Sequence, residues 1–342
     1  MIDYGRAYRS TFRVYRVNER TWHDGEELHG VTGGSISVTR DAGGDTIESG
    51  SMTVTGGFES GYYRIVMDVD QDGEIAREEV ATLLFERSSA VRDRSTDTVS
   101  VEGQSVLYPA SVERVVSGEY APDGADGAQY AARLLRRCVK APVTVHGGFR
   151  LGRNVVHAFG DTVLEAVYAV LDAGGYIIQV HGDGGVHVLP RPTDPKAEVD
   201  GTNTRLVMPG VKHGYAVLKV PNRYIADDDY ERAVVVNDDP ESDVSTVARG
   251  YYHDQLDTSP CPVDGETLER YARRRLRELS TVYDTREYQR EWIPGLLPGD
   301  IVKASVPELG LDGNLRVASQ GIRCGHGAVV SEKVTKEVKL WR

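Results

Sequence analysis

The chain has 342 residues, 40% of them hydrophobic, which is enough for two or three domains with a sizeable core. Its formal net charge of −12 excludes the overall basic footprint that non-specific nucleic-acid binding requires. Three cysteines, Cys138, Cys261 and Cys324, lie far apart with no CxxC pair, which argues against a disulfide framework and fits synthesis in a reducing cytoplasm.

Met1-Ile2-Asp3 opens no signal peptide, and no run approaches about 18 apolar residues, so no membrane span is expected. The 18 tyrosines and 37 glycines suit half-buried sheet faces joined by many turns. From the N-terminus, Thr11 to Val17 alternates apolar and polar as a half-buried strand does. Gly30 to Arg40 and Glu48 to Thr55 read as further strands around the turn-rich Asp41 to Asp45. Tyr62 to Val69, Glu79 to Glu86 and Thr98 to Glu102 continue the pattern, so residues 1–100 read as a β-domain.

Ser105 to Val116 is expected to open an α+β module with another strand. A helix follows Gly124-Ala125-Asp126-Gly127, with Tyr130, Ala131, Leu134, Leu135 and Cys138 on one face. The most informative stretch is His157 to Asp194. Thr162 and Glu165 make a capping box, and Val163, Leu164, Ala166, Val167, Val170 and Leu171 recur at helical spacing. Gly174 and Gly175 stop that helix. Tyr176 to Val180 and Val186 to Leu189 then form a hairpin around Gly182-Asp183-Gly184-Gly185, ended by Pro190 and Pro192. Thr193 to Thr204 reads as a polar loop.

The last segment opens with Tyr215 to Val220 and Pro221-Asn222-Arg223-Tyr224-Ile225; Ala233 to Val236 reads as a strand, with Asp227 to Asp229 as an acidic loop and Asn237 to Ser242 as a turn. Asp264 caps an amphipathic helix over 265–280, with Leu268, Tyr271, Ala272, Leu276 and Leu279 inward. The end returns to strands at Ile301 to Lys303, Asn314 to Gln320 and Val329 to Val338.

Among chemistry-bearing patterns, Asp68 to Glu79 is the sharpest. Asp68, Asp70, Asp72, Gly73 and Glu79 match the spacing of an EF-hand calcium loop. That loop requires two flanking helices, whereas Tyr62 to Met67 reads as a strand; a hairpin with ordinary turn residues is the competing reading. His181 and His187 flank one turn and can approach each other, but two histidines lack the further ligands zinc wants. Arg273-Arg274-Arg275 is the one basic cluster; Glu269 can pair with Arg273 and Arg274 with Glu278, or the run can meet a partner subunit. No HExxH, GxSxG or Walker A pattern is present. No catalytic, cofactor-binding or metal residue is therefore assigned.

Six pieces in fixed order resemble the baseplate hub proteins of phage tails and phage-tail-like particles. They are the opening β-domain, Gly160 to Ala166 leading to Gly174-Gly175-Tyr176, Gly184 to Pro190, Val220-Pro221-Asn222-Arg223, the helix Tyr271 to Leu276, and Leu297-Pro298-Gly299-Asp300-Ile301-Val302. The resemblance implies a mixed, β-rich α+β chain of several domains. Two β-barrel-like tube domains, 1–100 and 201–342 (the second carrying helix 265–280), flank a module over 101–200 with its helix-hairpin at 161–190. It also implies a structural, non-enzymatic homotrimer in the virion, made in the host bacterial cytoplasm. Such a ring joins the hexameric tail tube or a distal tail protein to a central spike or fibre and meets the tape measure protein. It lines the path of DNA, which an acidic wall would let slide. The chain ends at Trp341-Arg342 soon after the last strand, so no appended lysozyme, peptidase or fibre domain is expected. The alternative is a calcium-dependent β-rich binding protein or hydrolase using the Asp68 to Glu79 loop. A third reading, a carbohydrate-binding module, would need exposed aromatic platforms, and only three Trp are available.

Overall fold

The computed structural model describes residues 2–4, 6–42, 47–92, 97–116, 119–200, 206–214, 217–228, 230–325 and 328–341. The N-terminal part supplies β1 (Arg9–Val17), β2 (Asp24–Glu27), β3 (Ile36–Asp41), β4 (Glu48–Thr55), β5 (Gly61–Gln71), β6 (Glu74–Arg92) and β7 (Asp97–Ser105). The middle supplies α1 (Tyr108–Val112), β8 (Tyr120–Ala121), α2 (Gly127–Cys138), β9 (Val143–Val145), β10 (Val155–Val156), α3 (Val163–Gly174), β11 (Tyr176–Val180), β12 (Val186–Pro190) and β13 (Pro195–Asp200). Then come β14 (Leu206–Gly214), β15 (Arg223–Asp227), β16 (Arg232–Val236), α4 (Thr246–Arg249), β17 (Asp254–Asp257) and α5 (Leu268–Leu279). The chain closes with β18 (Thr281–Arg290), β19 (Ile301–Val306), β20 (Leu311–Cys324) and β21 (Val329–Lys339).

Thirteen of these strands form one sheet, in the order β14-β18-β21-β20-β3-β4-β7-β6-β5-β1-β2, with β19 and β13 branching from β20. The branch comes from the length of β20. Leu311 to Arg316 pairs with β19, Ser319 to Cys324 pairs with β3, and the opposite edge pairs with β21. One strand thus belongs to both the N-terminal and the C-terminal parts of the sheet. The N-terminal part also curls back on itself. Leu28 N–H donates to Val14 O (2.7 Å) and Thr32 N–H to Thr53 O (2.8 Å), so the segment after β2 touches both β1 and β4 without a continuous ladder.

A row of buried polar side chains crosses the seam. Glu48, Arg40, Gln320, Glu332 and Tyr288 are successive register partners on β4, β3, β20, β21 and β18. Arg40 Nε donates to Glu48 Oε1 at 2.6 Å. Glu332 accepts from Arg290 Nε (2.9 Å), Tyr288 Oη (2.6 Å) and Gln320 Nε2 (2.9 Å). The two carboxyls respond differently. Burial pushes Glu48, with its single guanidinium bond, up to about 7, while Arg290, Tyr288 and Gln320 hold Glu332 below its usual range against burial.

The helix-hairpin forms as its sequence dictates. Thr162 Oγ1 accepts from Glu165 N–H (3.0 Å), Glu165 Oε2 accepts from Thr162 N–H (2.7 Å), and Gly175 ends the helix at φ 69°. Val163, Leu164, Val167, Val170 and Leu171 pack with α2, β11 and β12 in one core, to which Val17 and Tyr62 of the sheet and Trp22 of the β1–β2 connection also contribute. A smaller unit lays α5 on the sheet β16-β15-β17, burying Tyr224, Ala226, Ala233 and Val235 against Leu268, Tyr271, Ala272 and Leu276.

Several expectations are corrected. Ser105 to Val116 holds the short helix α1 instead of a strand, because Pro109 suits a first helical turn and cannot donate to a ladder. Pro195 to Asp200 is a strand, not a loop; it pairs in parallel with β19. Val217 to Val220 forms a turn, closed by Val220 N–H donating to Val217 O (3.1 Å). The cap of α5 is Thr267, whose Oγ1 accepts from Arg270 N–H (3.3 Å), not Asp264. Residues 43–46, 201–205 and 229, which fall within the turn and loop expectations there, and residues 215–216 lie outside the described residues.

Candidate assembly joint

Two of the stretches that stand out in sequence, the helix-hairpin and Leu297 to Val302, meet where the helix-hairpin sits between the two parts of the sheet. Its Gly-rich turn docks on the N-terminal part. Arg64, buried on β5, donates to Asp183 O (2.8 Å), Trp22 O (3.2 Å), Thr82 Oγ1 (3.1 Å) and Asp24 Oδ1 (2.7 Å). Trp22 Nε1–H also donates to Asp183 O (2.8 Å), and Thr82 Oγ1–H to Gly182 O (2.8 Å). The turn lies backbone against backbone: a Cβ on Gly182 would stand 1.8 Å from Glu79 O. Composition shows the glycines as turn residues, but only the docking shows why a side chain is barred there.

The other contact of the hairpin is with the turn before β19. Gln179 Nε2 donates to Asp300 Oδ1 (2.9 Å) and Pro298 O (3.1 Å). Asp300 also accepts from Lys196 Nζ (2.8 Å) and Leu297 N–H (2.9 Å), and Arg316 donates to Gly299 O (2.7 Å) and Pro192 O (3.1 Å). The stretches Gly174 to Pro190 and Leu297 to Val302 are therefore two sides of one joint.

The EF-hand reading is overturned. Asp68 to Glu79 is the end of the β5–β6 hairpin, with Gln71 opposite Glu74 and a two-residue turn in which Asp72 (φ 53°) and Gly73 (φ 86°) both take the left-handed conformation. Strands, not helices, flank it. Glu79 lies opposite Val66, four residues from Asp70, which is roughly 13 Å at the strand rise. Asp68 accepts from Arg13 Nε (2.6 Å), Asp70 Oδ1 accepts from Gly73 N–H (3.2 Å), Asp72 lies 3.8 Å from Arg6 and Glu79 lies 3.6 Å from Arg64. The Asp-Gly pair that completes the calcium pattern is the one a type I′ hairpin turn demands.

His181 and His187 do come together, stacked with ring centroids 3.8 Å apart, and His187 Nδ1 is 2.9 Å from His146 Nε2. Burial and His187 push His181 down to about 4. Among the described residues no group of three or more His, Cys, Asp or Glu is placed to hold a metal ion. Arg274 pairs with Glu266 (2.9 Å) and Glu278 (3.1 Å), Arg275 with Glu278 (2.7 Å) and Arg273 with Glu269 (3.4 Å), so the basic run is used within the chain.

Burial pushes the thiol of Cys138 up to about 11 and those of Cys261 and Cys324 up to about 12, which keeps them protonated at neutral pH. A cleft lined by Leu84, Glu86, Arg87, Glu102, Gln104 and Tyr108 holds 160 Å³, below the roughly 300–1,000 Å³ of small-molecule sites. No described helix is long and apolar enough to cross a membrane.

No protein-family model and no curated protein matches the chain. Solved structures match it over nearly the whole length. A tail protein from Neisseria meningitidis MC58 is 14% identical, covers 96% of this chain and 96% of its own, and superposes with a TM-score of 0.65. The 43 kDa tail protein of prophage MuSo2 from Shewanella oneidensis is 15% identical, with 97% and 98% covered and a TM-score of 0.62. The chain has the fold of phage tail proteins. Prophage tail protein gp18 from Listeria monocytogenes EGD-e follows at 12% identity, 95% and 94% coverage and a TM-score of 0.54. At such identities the likeness is one of architecture, and it spans both parts of the tail-protein sheet and the helix-hairpin between them.

Proposed function

We propose that the chain is the structural hub of a phage or phage-like tail baseplate or tail tip. Three copies form a ring that joins the tail tube, or a distal tail protein, to a central spike or fibre, meets the tape measure protein, and surrounds the path of the DNA. The observation that carries this reading is the end-to-end match, 96% of both chains, to the fold of a tail protein from Neisseria meningitidis MC58. The joint, which fixes the helix-hairpin to both parts of the sheet as an adaptor subunit would require, supports it too.

Light scattering across a concentration series, with negative-stain images of the same samples, tests this. The expected result is a species of three copies with a central hole. A single-copy species at every concentration would overturn the ring.

A further inference from the structure

Three histidines form a row at the end of the hairpin that docks on the N-terminal part of the sheet. His187 lies on β12, His181 follows β11, and His146 follows β9, its N–H donating to Val188 O (2.8 Å). The rings are nearly parallel: His181 and His187 lie at 15° with centroids 3.8 Å apart, His146 and His187 at 11° and 5.2 Å. His146 is exposed and the other two are half-buried, so solvent protons reach the row. The bond between His187 Nδ1 and His146 Nε2 (2.9 Å) needs one N–H and one bare nitrogen. That pair therefore holds one positive charge but not two, since two imidazolium rings would set N–H against N–H. A charge on His181 meets the face of His187 directly. Protonation of the row beyond one charge thus places like charges within contact distance.

The surrounding charges do not cancel that repulsion. Asp183 and Asp300 favour a charged His181, but Lys196 opposes it and is itself paired with Asp300 (2.8 Å). On the sheet side Arg64 and Arg77 are shared among Asp24 and Glu79. Burial and His146 lower His187, and Asp183 only partly offsets them. The row is also tied to the docking contact through the backbone. His181 closes the Gly-rich turn, its N–H donating to Gly185 O (3.0 Å) and its carbonyl accepting from Gly184 N–H (2.8 Å). The next two carbonyls, of Gly182 and Asp183, are the ones held by Thr82, Arg64 and Trp22. We propose that the His146–His187–His181 row is an acid-operated latch: protonation drives the rings apart and lifts the Gly182–Gly185 turn off Arg64, Trp22 and Thr82. The other contact of the hairpin, Gln179 on Pro298 and Asp300, contains no histidine and stays closed. The latch is fully closed above the ordinary histidine value of 6.5 and opens as pH falls toward 4. It rests on the joint and not on the ring.

Hydrogen exchange of the full chain, read by mass spectrometry and corrected for the intrinsic pH dependence of amide exchange, tests the latch. From neutral pH to about pH 5, peptide 181–190 is expected to lose protection about tenfold or more, while α5 keeps its own. His187→Gln leaves His146 a hydrogen-bonding neighbour that takes no charge, and it is expected to abolish the loss. His146→Gln changes an exposed side chain and is expected to reduce it. Circular dichroism at neutral pH checks that each variant folds, and either one suffices for the comparison. Full protection of the wild-type turn at about pH 5 overturns the latch. So does an acid loss unchanged in a folded variant, or one shared equally by α5, which would make the opening global.

Discussion

Arg64 on β5 donates to the main-chain carbonyl of Asp183, 119 positions later in the chain, at 2.8 Å. With it the guanidinium holds Trp22 O, Thr82 and Asp24. Removing this group leaves two carbonyls and a carboxylate with a partner missing. Arg64→Met is expected to destabilise the fold by about 3–5 kcal/mol, the usual cost of breaking a buried ion pair from one side. Denaturant midpoints measure it. A loss under about 1 kcal/mol would mean that apolar contact alone holds the turn.

The seam offers a comparison of one substitution with two. Arg40→Met alone leaves Glu48 buried beside an apolar neighbour and is expected to cost about 3–5 kcal/mol. Adding Glu48→Leu removes the stranded carboxyl and is expected to recover most of that loss, since buried ion pairs replaced as a unit are often neutral. A double variant as unstable as the single would show that the pair contributes something packing cannot replace.

Gly182→Ala drives a methyl into Glu79 O, and neither partner is a flexible side chain. The expected loss is about 1–3 kcal/mol from overpacking, together with a shift of the hairpin off the sheet. Hydrogen exchange at Gly184 and His181, whose backbone groups bond each other, reports the shift. Native protection in the variant would contradict the tight docking.

Two groups give the fold opposite pH dependences. His181 is held neutral down to about 4 by burial and by His187, against an ordinary 6.5. Its contribution is complete above 6.5 and is lost as pH falls toward 4. Asp183 and Asp300 oppose that shift and Lys196 reinforces it. Glu48, raised from 4.5 to about 7, contributes fully below 4.5 and loses that contribution as pH rises through 7. His181→Gln is expected to flatten the acid side of a plot of urea midpoint against pH. An unchanged acid slope would remove His181 as its source.

The local elements are legible in the sequence. The capping box at Thr162 and Glu165, the hairpin around Gly182 to Gly185 and the apolar stripe of α5 depend on neighbours a few residues away, and all form. What stays hidden depends on distant partners. Pro195 to Asp200 looks polar because its β partner, Ile301 to Val306, lies a hundred positions on. Nothing local marks Arg64 as the group that anchors the hairpin; in sequence it is one polar residue within a strand. Asp68 to Glu79 misleads for a different reason: aspartate and glycine serve calcium loops and tight hairpins alike, and the flanking strands decide between them.

The shared strand β20 has a mechanical consequence. A flexible linker between two bodies lets one swing while the other stays still. Here a turn of one part of the sheet about the other must shear the six register pairs from Ser319 to Cys324 against Asp41 to Ile36 together. A displacement applied at β1 or β2 is therefore expected to be passed through β20 toward β14 instead of being absorbed at a hinge.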